Sequence, residues 1–234
     1  MDKIIALVSG LDSFCYLGQY ISKYKIEVLI FNYGQRSQQG VEQTTYLINS
    51  LTEKHSFLIR RTIQLQALKF LYPKSQQINK YGLIEPIYQP KVVLSLRNTI
   101  FLTIAIAYAK TVGAKKVIIG ATTDDASPYL ELPKFPDLNS SYLLNLEKLL
   151  DIGCPPWAPG PVEIWSPARS GMSKAKNLRN GFEIFGDLIF QTWSCYLGDA
   201  DLGGERQCGR CYGCVRRKEV FEQARIEDKT KYEI

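Results

Sequence analysis

The stretch Lys3-Ile4-Ile5-Ala6-Leu7-Val8-Ser9-Gly10-Leu11-Asp12-Ser13 decides how the rest of the chain is read. Lys3 to Val8 is a short, nearly unbroken apolar run, the pattern of a strand buried on both faces. Ser9-Gly10 is a small-residue turn, and a helix is expected from about Ser13 to Ser22. Strand, tight turn and helix bring backbone N–H groups and the positive end of a helix to one spot, which suits an anion. The Ser13 hydroxyl can add a hydrogen bond, and Asp12 can cap the helix or hold Mg²⁺. A plain strand–turn–helix capped by Asp or Ser gives the same pattern. The Gly-x-Gly-x-x-Gly and Walker patterns are both absent, so neither of those nucleotide sites is supported.

The same alternation continues along the chain. Glu27 to Phe31 predicts a second buried strand, broken at Asn32-Tyr33-Gly34 and followed by a polar helix to about Glu53. Ser56 to Arg60 predicts a third strand. Thr62 to Ser95, with Pro73, Gly82, Pro86 and Pro90, reads as a long loop with one short helix. Arg97 to Val112 is a helix with Ile100, Phe101, Ile104, Ala105 and Tyr108 on one face and Gly113 as its stop. Lys116 to Gly120 is a fourth strand. A helix over Ser140 to Asp151, a proline-rich segment from Cys154 to Pro161 and a fifth strand over Val162 to Trp165 follow. Short helices are expected over Met172 to Asn180 and Glu183 to Asp187, and an amphipathic one near Arg216 to Ala224. The fold class is α/β, a doubly wound parallel sheet. The expected division is an α/β domain over 1–190 and a small metal-binding lobe over 191–234 packed on it.

Of 234 residues, 45% are hydrophobic and 22% charged, which excludes a disordered chain. No apolar run approaches the roughly 18 residues of a membrane span. The N-terminal run is too short for a signal peptide, so a cytoplasmic protein with no membrane partner is expected. The net charge of +6 suits an anionic ligand such as a nucleotide. The basic residues are spread along the chain, against the clustered footprint of a nucleic-acid binder.

Cys195 and the run Cys208-Gly209-Arg210-Cys211-Tyr212-Gly213-Cys214 carry the second signal. Clustered cysteines in a reducing cytosol are metal ligands more often than disulfides. Four thiolates with two tight turns fit tetrahedral Zn²⁺, a closed and therefore structural site. An iron–sulfur cluster is the competing occupant, although such runs usually carry a fourth nearby Cys followed by Pro. Cys15 and Cys154 are isolated and read as packing residues. His55 is the single histidine, with no Ser or Cys partner in sight, which argues against a histidine triad.

These blocks occur in the order seen in a known family. Ser9 to Ser13 resembles a Ser-Gly-Gly-x-Asp-Ser loop, with Val8-Ser9-Gly10 where the family has Ser-Gly-Gly. Phe31-Asn32-Tyr33-Gly34-Gln35-Arg36 is similar to Phe-x-Tyr-Gly-Gln-Arg, and Arg97-Asn98-Thr99-Ile100-Phe101-Leu102 to Arg-Asn-x-x-Phe-Leu. Gly120 to Asp125 with Ser127, Tyr129 and Glu131 resembles a loop ending in Tyr-Pro-Asp. Ser173-Lys174-Ala175, the Thr192-Trp193-Ser194-Cys195-Tyr196 block with its cysteine run, Arg217, Phe221 and Asp228-x-Thr230-x-Tyr232 complete the set. The chain resembles the queuosine-pathway 7-cyano-7-deazaguanine synthase family of PP-loop ATP pyrophosphatases, over nearly its whole length.

The resemblance implies ATP as co-substrate with Mg²⁺, and a deazapurine small molecule as substrate. The carboxylate of 7-carboxy-7-deazaguanine would attack the α-phosphorus of ATP, ammonia would give the amide, and a second activation would give the nitrile. Ser9, Gly10, Leu11, Asp12 and Ser13 would cradle the phosphates, and Phe31, Tyr33 and Gly34 would contact adenine or ribose. Asp12, Arg97 and Lys174 would be the catalytic charges. Asn98, Asp125, Tyr129 and Glu131 would bind the deazaguanine, and Cys195, Cys208, Cys211 and Cys214 the metal. A homodimer stays open as a partner. So does a protein acceptor, because relatives in antiviral gene clusters look built to join a deazaguanine to a protein amine. The Cys154 to Pro161 segment, expected near the site, would suit that drift. A PP-loop tRNA-modifying enzyme and a non-catalytic nucleic-acid-binding zinc module are the remaining readings.

Overall fold

The strand β1 (Lys3–Leu7) buries four of its five residues because helices cover it from both sides. The computed structural model describes residues 1–75, 77–78, 94–126, 135–197 and 206–233. In it β1 is the centre of a five-stranded sheet in the order β3-β2-β1-β4-β5. The other strands are β2 (Lys25–Asn32), β3 (Leu58–Gln64), β4 (Lys116–Ile119) and β5 (Glu163–Trp165). Every pairing is parallel, with Ile5 opposite both Glu27 and Val117. The expected parallel α/β sheet is therefore the one observed.

Alternate residues of β1 feed two different cores, as the two-residue period of a strand requires. Ile4 and Ala6 pack with Phe14 of α1 (Leu11–Gly18), Leu47 of α2 (Gln38–Thr52), Leu178 of α7 (Lys174–Phe185) and Phe221 of α8 (Tyr212–Ala224). Ile5 and Leu7 pack with Leu102 of α4 (Arg97–Val112) and Leu143 of α6 (Ser140–Ile152). Two single-turn helices, α3 (Leu68–Leu71) and α5 (Thr123–Ala126), lie in the connections. No helix among the described residues is long and apolar enough to cross a membrane.

The boundaries depart from the sequence pattern where tertiary contacts decide. Helix α1 begins at Leu11, two residues early, because the Gly10 N–H is already satisfied by the Ser13 hydroxyl at 3.3 Å. Strand β3 runs on through the polar segment Arg60 to Gln64, which pairs with Val28 to Asn32 of β2. The two short helices expected over 172–187 are one helix, α7, followed by a 3₁₀ turn over Gly186–Gln191. Helix α8 starts at Tyr212 rather than Arg216, with Cys211 as its N-cap.

The segment from Cys154 to Pro161 forms no regular element, as its prolines demand. Its position corrects the expectation that it borders the site. Lys110, near the end of α4, bonds Asp151 and the carbonyls of Pro159 and Gly160 at 2.8–3.0 Å. That end of α4 lies at the amino-terminal edge of the sheet, because the helix runs back from the carboxyl ends toward β4.

Helices α1 and α7 pack closely at Gly181. A Cβ on Gly181 would lie 2.4 Å from Cys15 Cβ and 2.8 Å from its Cα. Helix propensity alone favours Ala over Gly by about 1 kcal/mol, so the sign of one substitution separates the two effects. Gly181→Ala is expected to destabilise the protein by on the order of 1–3 kcal/mol in urea unfolding, the usual cost of overpacking. A stabilised variant would mean that the helices can part without loss.

Candidate active site

The sheet order places a topological switch between β1 and β4, where α/β proteins open a crevice at the carboxyl ends of the strands. A cleft of about 330 Å³ lies there. Its floor is the turn Val8 to Ser13. Gly120, at the end of β4, presses on this turn so closely that a Cβ would sit 2.4 Å from the Ser13 nitrogen. The Ser13 hydroxyl accepts from the Ser9 N–H at 3.0 Å and donates to the Gly10 carbonyl at 3.1 Å. The turn is thus held in shape by its own serine. Val8 is buried in the core beneath it, and Ser9 is exposed at its crest.

Charge is concentrated beside the turn. Lys174, the first residue of α7 and buried, donates to Asp12 Oδ2 at 2.5 Å and to Asp125 Oδ2 at 2.9 Å. Burial opposes its charge, but the two carboxylates outweigh burial and push its pKa up, so the ammonium stays charged. Asp125 Oδ2 also accepts from the N–H and hydroxyl of Thr122, at 3.1 and 2.8 Å, which caps α5. Asp124 accepts the Lys174 N–H at 2.8 Å, and Asn177 donates to the Asp12 carbonyl at 2.8 Å.

The opposite end of the cleft is aromatic. Phe31 and Phe101 stack with centroids 4.2 Å apart, and Tyr33 lies against Phe101 at 5.5 Å. Arg97 lies over the Tyr33 and Phe101 rings and donates to Tyr33 Oη at 3.3 Å and Gln77 Oε1 at 3.1 Å. Its buried Nε has no hydrogen-bond partner among the described residues. Leu96 just before it holds a left-handed φ of 59°, uncommon for a bulky residue, which turns the chain into α4. Asn98 donates to Asp137 Oδ1 at 3.1 Å, and the other oxygen of Asp137 accepts the Thr99 N–H at 3.3 Å. Asp137 therefore both caps α4 and orients Asn98.

The C-terminal residues form the third wall. Cys195, Cys208, Cys211 and Cys214 are buried, and their sulfurs all lie within 4.8 Å of one another. Cys208 and Cys214 are 3.8 Å apart, and Cys211 and Cys195 4.0 Å. A single ion bonded tetrahedrally to four sulfurs at about 2.3 Å needs them about 3.8 Å apart, so the four residues fit one metal ion. Backbone N–H groups of Tyr196, Cys208 and Cys211 point at the sulfurs at 3.2–3.4 Å, as a thiolate site requires. Gly213 is needed because a Cβ there would meet the Ser194 carbonyl oxygen at 2.0 Å. Trp193 joins this wall to the body: its indole N–H donates to Ser37 Oγ at 2.8 Å, and its carbonyl would lie 3.0 Å from a Cβ on Gly10. Burial pushes the Tyr212 phenol up to about 12, so it faces the cleft protonated.

One cleft thus gathers Ser9, Gly10, Leu11, Asp12, Ser13, Phe31, Tyr33, Arg97, Asn98, Asp125 and Lys174. Gly34 is not on its wall. It holds a left-handed φ of 74° behind Tyr33, where a Cβ would run into Lys69, so it shapes the turn. Tyr129 and Glu131 lie outside the described residues. His55 sits at the start of β3, at the other end of the sheet from the cleft. Asp137, Tyr212 and Arg216 were not found from sequence. Thr122 had a legible signal, the Thr-x-x-Asp spacing of a helix cap.

A cleft at the switch point of a parallel sheet, charged at one end and aromatic at the other, lies where α/β proteins hold ligands, and its lining has the character suited to an anionic, ring-bearing small molecule. The family Queuosine biosynthesis protein QueC matches residues 3–225, and the chain belongs to that family. It is 32% identical to the 7-cyano-7-deazaguanine synthase of Thermoplasma acidophilum, over 98% of this chain and 91% of that protein. It is 31% identical to 7-cyano-7-deazaguanine synthase 1 of Colwellia psychrerythraea, over 99% of each, and 29% to the 7-cyano-7-deazaguanine synthase of Rickettsia akari, over 99% of this chain and all of that protein.

The cysteine geometry sets a direct expectation. The purified protein carries one metal ion per chain, and Cys214→Ala loses it and lowers the unfolding temperature, because binding energy at such a site is folding energy. Elemental analysis with a thermal melt checks both. A metal-free wild type that melts like the variant refutes the assignment.

Proposed function

We propose that this protein makes 7-cyano-7-deazaguanine from 7-carboxy-7-deazaguanine and ammonia, using ATP, as the names of its relatives suggest for the family. The observation that carries the reading is the single cleft that joins the turn Ser9 to Ser13 to the Arg97–Asn98 pair. A reaction between a phosphate and a carboxylate needs both binding ends in one enclosure.

The roles follow from the distances. The turn and the α1 N-terminus take the phosphates, and the amides of Ser9 and Gly10 exchange the Ser13 hydroxyl for phosphate oxygens. Phe31 and Tyr33 line the base or ribose. Arg97, with its unpartnered Nε, receives the substrate carboxylate, and Asn98 and Asp125 meet the polar edge of the deazaguanine. The carboxylate oxygen attacks the α-phosphorus, the bond to the bridging oxygen breaks, and pyrophosphate leaves with that electron pair. Ammonia displaces AMP from the acyl adenylate to give the amide. A second ATP activates the amide oxygen, whose loss with AMP leaves the nitrile. Lys174 holds Asp12 against the turn throughout. Mg²⁺ supplied with ATP would be held by Asp12, a third exposed, and would offset charge between carboxylates and phosphates.

Zinc is the proposed ion of the four cysteines. The sulfur spacing suits one ion rather than a multi-iron cluster, and a closed tetrathiolate is structural. Residues 1–190 act as the nucleotide-binding body and 191–234 as its zinc-bound lobe, and the setting is cytoplasmic. The protein-amine acceptor loses one of its two motives, since the Cys154–Pro161 segment lies at the far edge of the sheet and only the altered Val8-Ser9-Gly10 turn remains.

Incubation with 7-carboxy-7-deazaguanine, ATP, Mg²⁺ and ammonium, followed by mass spectrometry, is expected to show the nitrile. Amide alone means that the second activation is lost. Deazaguanine mass appearing on a partner protein overturns the reading in favour of conjugation. Asp12→Asn is expected to abolish pyrophosphate release at a temperature where the variant is folded, and to lower the melting temperature because it takes one carboxylate from the buried Lys174. Wild-type turnover in that variant would move the phosphate site elsewhere.

A further inference from the structure

Helix α8 turns one face to the cleft. Tyr212, Arg216 and Val220, four residues apart, all border it. The next residue, Arg217, also borders the cleft, but its guanidinium is spent on structure: it donates to Thr192, Ser194, Thr230 and the Ile189 carbonyl. Arg216 has no such duty. Its Nη1 pairs with Glu219 on its own helix, and its Nη2 lies 3.9 Å from Asp124, beyond hydrogen-bond range. The start of α8 is pinned by Cys211 and Cys214, so the guanidinium is carried on a rigid support.

The charge balance shows what is missing at this end of the cleft. Asp12, Asp124 and Asp125 gather there, and the ammonium of Lys174 is already shared by two of them. A phosphate chain arriving at the turn with its Mg²⁺ still meets three carboxylates, and a protein cation beside them would offset the charge that remains. Among the described residues bordering that end, Arg216 is the cation on the exposed side: it pairs with Glu219 and lies 3.9 Å from Asp124, with its Nη2 out of hydrogen-bond reach of that carboxylate. We propose that Arg216 is a catalytic residue that binds the β- and γ-phosphates of ATP. As the bond between the α-phosphorus and the bridging oxygen breaks, that oxygen keeps the electron pair, and Arg216 donates to the charge gathering on the leaving pyrophosphate. This rests on the ATP-dependent reading above.

The test uses the metal-loaded full chain and inorganic pyrophosphate with Mg²⁺ as the probe, with affinity measured by calorimetry. Arg216→Gln is expected to weaken pyrophosphate binding by about tenfold or more, the worth of one hydrogen bond to a charged group. Arg216→Lys is expected to recover part of that loss. Metal content and melting temperature should match wild type in both. Unchanged affinity in Arg216→Gln overturns the proposal, as does a loss that follows metal content or melting temperature in both variants. The probe contains no deazapurine. A protein that binds pyrophosphate through Arg216 and makes no nitrile would therefore refute the reaction and leave this assignment standing.

Discussion

The ammonium of Lys174 is the joint on which the site hangs. It sits at the start of α7 and reaches Asp12 on α1 and Asp125 after β4, at 2.5 and 2.9 Å. Three segments far apart in sequence are thereby held at one point. A lysine buried without partners would lose its proton; two carboxylates buried without a cation would repel each other. Each group is tolerable only because the others are there. Gly120 and Gly181 serve the same end sterically, letting β4 and α7 close on α1 with no side chain between them.

The metal-binding wall adds what the sheet alone lacks. A parallel sheet with a helix after each strand gives a crevice open on one side. Here Trp193, Tyr212 and Arg216 close that side, and the four cysteines fix their position. The lobe has little apolar core of its own: Trp193, Leu197 and the cysteines make up its buried cluster. Four cysteines arranged to fit one ion stand where a core too small to order itself would be.

How much of this could be read from sequence depends on range. The strands of the sheet were legible because Ile4, Ile5, Val28 and Ile30 are buried on both faces and leave unbroken apolar runs. The cysteine set was legible because its spacing is local. The extension of β3 through Arg60 to Gln64 was not, since pairing with β2 creates it and propensity does not. Asp137 was hidden for the same reason. Its use comes from meeting Asn98, thirty-nine residues away in sequence, and nothing in Pro136-Asp137-Leu138 announces that. Gly34 belongs to the motif but lies off the cleft wall with a left-handed φ, because a motif records which residues recur and is silent on whether each lines the site or shapes the turn.

The closure of the cleft by α8 also orders events in time. During synthesis the turn Ser9 to Ser13 emerges first, and the wall bearing Trp193, Tyr212 and Arg216 emerges near the end. Until that wall arrives, the nascent chain has half a pocket, with Asp12 and its neighbours facing water. A chain stopped before Tyr212 would therefore carry the floor of the pocket without this wall.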